Sequence, residues 1–484
     1  MRRNYNKLTL LSFLLVTLVS CKKIIEVEET DLIAGATALK TVQNNEQTII
    51  AAYGATQVEM GMLFNGVLSD ELKVSEFYNA GTVHEWQYGS TDVGLRDNYT
   101  AVTPYYRVID RVNRVLEFVD GADSTRPGDN TLRNRLKGEA FFLRAFCHFE
   151  LFKYYCDNFN PDGLAMPYME TSTIVPQPRI KMDPYFQKMI ADVSAAKNLL
   201  PTSLSDIKRA TRLAATGLQA RIALYMRNWA SAESFATEYI SAIPLSPIGD
   251  FGGIWTDANT NEQAWRLERT IAVGGRIGAL WRAGLSGGTP ANPQIGTITW
   301  QPSDELWNSF DQVNDVRFAA YLINEPILIA AGRNSHLVHK YSGTGYATTN
   351  ENVNNAKVFR TGEMYLIRAE ARAEQDKFTG ANSAESDINT LRAARINGYV
   401  NEVFASKAAA ITAIIQERFK ELAFEGHRFW DLKRRGLPVE RIPSDAPTTA
   451  AATLPVGNFR WLLPIPNAEI QASGGVIVQN PGYN

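Results

Sequence analysis

Apolar residues recur at helical period over much of the chain, and where that period fails the sequence turns rich in aromatics and glycine. Between 411 and 436, Ile411, Ile415, Phe419 and Leu422 fall at i, i+4, i+8 and i+11, one stripe of a helix. Glu417, Glu421 and Glu425 form a second stripe at i, i+4 and i+8. Stacked like charges repel, so this acidic ridge is expected to face arginines from elsewhere in the fold. Gly426 interrupts the pattern, and Phe429, Trp430 and Leu432 then offer a bulky inward surface. Arg434, Arg435 and Gly436 are the chemistry of a helix C-terminus. The stretch predicts a docking helix.

Further helices are predicted at 37–60, 105–119 and 132–155, with Val108, Val112, Val115 and Val119 on one face and Phe142, Phe146 and Phe149 on another. The loop 121–130 makes the latter two a hairpin, in which Glu139 and Arg144 are expected to pair. A second hairpin is predicted over 209–240, turning at Asn228-Trp229, and a third over 361–395. Small residues at helical spacing followed by an aromatic are the packing pattern of tetratricopeptide repeats. The central positions Ala145, Ala223 and Ala369 lie 78 and 146 residues apart. A tandem array would space them by about 34. The fold class predicted is therefore mostly α, with degenerate tetratricopeptide-type hairpins interrupted by long insertions.

Two stretches lack the helical period. Residues 63–98 hold Phe64, Phe77, Tyr78, Trp86 and Tyr88 among Gly, Asn, Ser and Asp. Residues 244–355 hold Trp255, Trp265, Trp281, Trp300 and Trp307, punctuated by paired glycines, and read as a loop-rich lobe with short strands. A long insertion of this kind in a compact protein is usually functional.

The chain has 484 residues, 45% of them hydrophobic, enough for one large domain or two intimate ones. A net charge of −2 implies no attraction to nucleic acid. Arg2, Arg3 and Lys7 precede an uncharged run from 8 to 20, the form of a secretory signal peptide and too short for a confident membrane span. Leu18-Val19-Ser20-Cys21 looks like a lipobox, with Cys21 the lipidated first residue of the mature chain. Removing 1–20 takes away three positive charges and lowers −2 to −5. Three cysteines are too few for a disulfide framework, and Cys147 and Cys156 are expected to be packed thiols.

Glu417-Arg418, Glu421-Leu422 and the run from Phe424 to Arg434 resemble the C-terminal signature of SusD/RagB-type lipoproteins. Residues 137–145, 462–470 and 479–483 resemble further signatures of that family. The resemblance implies a surface glycan- or nutrient-binding protein, anchored by lipid to the outer membrane, that partners a SusC-like TonB-dependent transporter. The organisation expected is a signal peptide at 1–20 and a lipidated tether at 21–36. A helical SusD-type region follows at 37–243, the insertion lobe at 244–355, and a C-terminal helical region and tail at 356–484.

No phosphate loop, zinc-protease helix or nucleophile elbow is present in the sequence. His427, Glu425 and Asp431 lie crowded among aromatics and are expected to be satisfied core groups, while His336 and His339 are expected to be solvated. A binding protein is expected, with no cofactor, metal or catalytic residue. Sugars lay C–H faces on aromatic rings and need amide, carboxylate or guanidinium partners for their hydroxyls. Two loop groups meet that need: Tyr78 and Asn79 with Trp86, and Trp281 and Arg282 with Trp300. Trp229, Trp430 and Trp461 are expected to be structural. The competing reading is a tetratricopeptide-type adaptor that binds a protein or peptide at the outer membrane.

Overall fold

The computed structural model describes residues 35–76, 81–95, 100–272 and 275–483. The signal segment, Cys21 and nearly all of the tether lie outside the described residues. Eleven helices of eight or more residues are described: α1 Val42–Ala55, α2 Glu59–Leu68, α3 Val102–Phe118, α4 Asp129–Tyr155, α5 Met182–Leu199, α6 Arg212–Tyr225, α7 Trp229–Ala242, α8 Thr361–Glu374, α9 Ala384–Ala393, α10 Lys407–Glu421 and α11 Arg428–Arg435. Side-chain oxygens of Thr41, Thr211, Asn228, Ser383 and Ser406 accept from backbone amides at the starts of α1, α6, α7, α9 and α10. Those amides would otherwise lack partners.

The helices stack in order. α1 packs on α3, α3 on α4, α4 on α5, α5 on α6 and α6 on α7. The stack then continues from α7 to α8 although residues 243–360 separate them in sequence. Strand β2, Gln263–Leu267, pairs antiparallel with β6, Ala356–Arg360, and draws the two ends of the insertion together beneath it. Trp265 of β2 is fully buried, edge-on to Phe142 and Phe146 of α4 with ring centroids at 4.9 and 5.1 Å. The insertion is thus nailed to the scaffold by an indole. Other strands within it are short: β3 Trp300–Pro302, β4 Leu322–Asn324 and β5 His336–Val338. A small apolar core of Leu285, Ile298, Ile327, Leu328 and Leu337 lies there.

Several local expectations are corrected. The single helix expected at 37–60 is broken at Thr56, whose backbone is extended and whose hydroxyl bonds the Ala52 carbonyl. Within the supposedly aperiodic stretch, α2 hides because its last turns are buried on every side, so no polar face marks it. Helix α5 was not expected. Glu139 and Arg144 do not pair, because five positions along a helix turn side chains about 140° apart. Instead Glu139 meets Arg209 at 2.6 Å, and Arg144 forms a two-pronged bond with Asp192, both arms at 2.6 Å. The docking helix is two helices, parted where Phe424 and Gly426 adopt left-handed backbone with φ of +62° and +82°.

The acidic ridge does face cations. Glu417 meets Arg317 at 2.5 Å and Arg392 at 2.6 Å. Glu421 meets Arg395 at 3.0 Å, Arg360 at 3.1 Å and Arg317 at 3.2 Å. Glu425 meets Arg360 at 2.6 Å and Lys340 at 2.8 Å. Glu262 joins Arg395 at 2.7 Å, and Asp315 joins Arg317 at 2.8 Å. These five carboxylates and five cations are buried or nearly so, and at the edge of the network Lys420 lies 3.7 Å from Glu417 and the exposed Glu402 2.6 Å from Arg392, so the charges balance six to six. Gly362 is required beside them, since a side-chain carbon there would strike the Glu421 carboxylate.

Burial alone would raise both carboxyls. The arginines outweigh it: Arg317, Lys420 and Arg392 hold Glu417 down to about 2, and Arg395, Arg360 and Arg317 hold Glu421 lower still. A carboxyl depressed by folding stabilises the fold above its unfolded value and ceases to do so as pH falls through its folded value. Glu421→Gln is therefore predicted to cost about 3–5 kcal/mol at pH 7, by stranding buried guanidinium charge. Its gap from wild type in urea unfolding should narrow at pH 3. A gap independent of pH would show that the ionised carboxylate is not what stabilises the fold.

Candidate functional site

Strand β1, Leu72–Val74, pairs antiparallel with β3 in the register Leu72↔Pro302, Lys73↔Gln301 and Val74↔Trp300. That pairing brings Ser75 and Glu76, which follow β1, beside the polar stretch 283–300 that leads into β3. β5 lies beside β3, and the Gln301 amide donates to the carbonyls of Asn334 and His336 at 3.2 and 3.1 Å. The resulting face carries exposed Glu76, Asn292, Gln294, Arg333 and Asn334, with Arg333 bridged to Glu76 at 2.6 Å. Trp300 sits at its seam, half-buried, its ring centroid 5.3 Å from that of His84. Burial and then Arg441 push His84 down to about 3, so this imidazole is neutral. Lys73 bridges to Asp304 across the base of the face.

Of the residues proposed from sequence, Trp300 alone offers ring surface on this face among the described residues; Tyr78 and Asn79 lie outside them. Trp86 is only 4% exposed; its indole donates to the Leu68 carbonyl at 3.0 Å and the Arg441 guanidinium lies 4.2 Å over its ring. Trp281 is 3% exposed, stacked on Tyr341 at 5.7 Å and edge-on to Phe424 at 5.9 Å. Arg282 is buried and paired with Glu325 at 2.9 Å. The exposure expected of Trp86 and Trp281 is therefore corrected: both plug loops onto the body. Trp307 is likewise buried, its ring stacked on that of His336 at 3.6 Å. His336 and His339 are half-buried rather than solvated, and burial lowers both.

The tempting acid-base trio is inert. Glu425 serves the ion network, Asp431 meets Arg418 at 2.7 Å and Arg434 at 2.8 Å, and burial keeps His427 neutral. Cys147 and Cys156 are buried free thiols pushed up by that burial. Among the described residues no cluster of three metal-ligating side chains occurs. A separate apolar groove of about 390 Å³ runs between α3, the loop 166–177 and residues 465–477, with Tyr106 and Ile109 in its floor and Ile174 fully exposed at its rim. The valine stripe predicted on α3, Val108, Val112, Val115 and Val119, is fully buried and lines no part of this groove, so the periodicity did not point toward it.

A model of the SusD family matches residues 330–483, and a second, described as starch-binding and associating with the outer membrane, matches residues 29–224. SusD-like proteins P25 and P2 of Formosa agariphila are 23% and 25% identical, each across 97% of this chain and 98% of their own. Among solved structures, a SusD superfamily protein from Bacteroides thetaiotaomicron superposes with TM-score 0.77 at 21% identity, covering 91% of this chain and 100% of its own. Surface glycan-binding protein A of the same organism, in complex with laminarihexaose, superposes with TM-score 0.72 at 18% identity, covering 91% of this chain and 99% of its own. At such identities the superpositions speak for the fold.

Burial separates the tryptophans by consequence. Trp86→Ala and Trp281→Ala are each predicted to cost about 3–5 kcal/mol by opening cavities. Trp300→Ala should cost about 1 kcal/mol. Chemical denaturation of the three variants checks this; equal losses in all three would place Trp300 in the core as well.

Proposed function

The chain belongs to the SusD/RagB family, and on that premise we propose that it is a cell-surface lipoprotein that binds a glycan and hands it to a SusC-like TonB-dependent transporter. The observation that carries this reading is Trp300, a half-buried ring at the seam of two polar loops joined by β1–β3. A ring so placed offers a stacking surface, and Glu76, Asn334 and Arg333 around it offer hydroxyl partners. The match to a starch-binding, outer-membrane-associating family model and the fold shared with a laminarihexaose-binding protein support glycan as the ligand class. Tyr78 and Asn79 remain proposed contributors, since they follow Glu76 of this face closely in sequence. No catalytic step is assigned.

Lipid anchoring rests on Leu18-Val19-Ser20-Cys21. Two acyl chains on one residue give stable attachment where one is marginal. The adaptor reading is favoured by a different observation, the apolar groove with Ile174 bare at its rim, since exposed apolar patches mark protein contacts. Under mild detergent, a barrel protein recovered with this chain in near-equal amounts supports the transporter reading. Recovery of the chain without a barrel favours the adaptor.

Two experiments test the proposal. Trp300→Ala should weaken binding of the cognate oligosaccharide about tenfold in calorimetry while the protein still melts cooperatively; unchanged affinity would remove this face from consideration. Cys21→Ala should move the protein from the membrane to the soluble fraction, and continued membrane association would end the lipoprotein reading.

A further inference from the structure

A second cavity, of about 410 Å³, lies on another part of the surface, between the end of α4, the end of α11 and residues 456–462. Its volume is within the range of small-ligand sites. Leu437, Phe459 and Trp461 form its apolar side, Asn158 and Asp157 its polar side, and Lys433 stands in the same wall.

Lys433 differs from its peers. Five lysines are buried among the described residues: Lys73, Lys153, Lys340, Lys357 and Lys433. Four have a carboxylate within ion-pair distance. Lys73 has Asp304, and Lys153, Lys340 and Lys357 have Glu150, Glu425 and Asp257 at 2.7, 2.8 and 2.9 Å. Lys433 has none among the described residues. Its ammonium donates to the carbonyls of Lys153 and Cys156 at 3.2 and 2.5 Å and lies 5.4 Å from the Trp430 ring centroid. Those carbonyls belong to the end of α4, where the helix carries only about half a negative charge. An ammonium has three donors, and two are used.

The nearby Asp157 does not complete the match. It is exposed to water, lies beyond ion-pair distance, and accepts the Asn158 amide at 2.7 Å. Burial pushes the Lys433 ammonium down to about 8, as it does for the paired Lys357, so what sets Lys433 apart is its geometry, a buried ammonium with no carboxylate in ion-pair reach. The Arg460 guanidinium lies 4.5 Å from the centroid of the Phe459 ring.

We propose that this cavity is an anion-accepting sugar subsite, which seats a saccharide unit bearing a carboxylate or sulfate against Phe459 with its anionic group on Lys433. The inference rests on the glycan-binding reading for the kind of molecule, but not for the position or the charge preference.

Calorimetry on the full mature chain tests it, with glucuronic acid as probe, glucose as its neutral twin and inorganic sulfate as the bare anion. Glucuronate should bind at least tenfold more tightly than glucose. Lys433→Met should lose that preference. Should Lys433→Met fail to fold, Leu437→Trp supplies the test: Leu437 is 37% exposed, so a larger ring there fills the cavity while Lys433 keeps its bonds. Leu437→Trp should cost glucuronate at least tenfold, whereas Trp300→Ala should leave it unchanged. Displacement of glucuronate by sulfate assigns sulfated sugars to the site as well; failure to displace confines it to carboxylates. Equal affinity for glucose and glucuronate, or full glucuronate binding by Leu437→Trp, overturns the proposal. A neutral oligosaccharide still bound through Trp300 would then leave the broader glycan reading standing, so the two readings fail separately.

Discussion

A charge taken out of water must meet its opposite or give up its proton, and that constraint governs how this chain closes on itself. Glu417, Glu421 and Glu425 come from one helix and the turn after it, but their cations come from the insertion, from β6 and from α9. Stacked hairpins alone would leave an open solenoid whose inserted loops could swing. The network denies that freedom. Arg317, Lys340, Arg360 and Arg395 also lie over aromatic rings, Arg395 at 4.2 Å over Phe251 and Lys340 at 3.6 Å over Tyr321, so apolar packing and charge pairing reinforce each other.

How much of this was legible in the sequence follows from what each element buries. Helix α3 announces itself because it has a polar side against which its valine stripe stands out, whereas α6 and α8, buried nearly all round, show only through small residues at helical spacing. The acidic ridge was legible for the converse reason: three carboxylates in one row make no sense unless cations cover them. Helix α2 was illegible because burial all round erases the contrast. Helix α5 carries a readable stripe in Met182, Tyr185, Phe186, Met189 and Val193, and its signal was available but passed over between two loops.

The candidate site was less legible, and the tryptophans show why. Trp86 and Trp281 sit among glycine, asparagine and arginine just as Trp300 does, so local composition cannot rank them. What ranks them is distant: Leu68 and Arg441 for one, Tyr341 and Phe424 for another. A loop aromatic becomes a binding surface or a plug according to which side of the loop meets the body. That choice is made by the β1–β3 pairing, between residues more than two hundred positions apart. Lys433 was hidden likewise within a basic helix end, where nothing local says that its neighbours find carboxylates and it does not.

The distribution of the ion network along the chain has a consequence for the order in which the protein can form. Synthesis delivers Arg317, Lys340, Arg360, Arg392 and Arg395 before Glu417, Glu421 and Glu425 exist. Until those three glutamates arrive, Glu262, Asp315 and Glu402, the last 2.6 Å from Arg392, are the carboxylates in place to offset the cations, and Lys340 and Arg360 would lack most of their counter-charge. The nascent chain must therefore keep that seam wet and open while its earlier hairpins assemble. Closure waits for the last seventy or so residues, which act as a clasp fastened from the C-terminal side. A chain that terminates early keeps its hairpins yet cannot shut, and its unmatched guanidinium groups stay exposed to whatever polyanion is near.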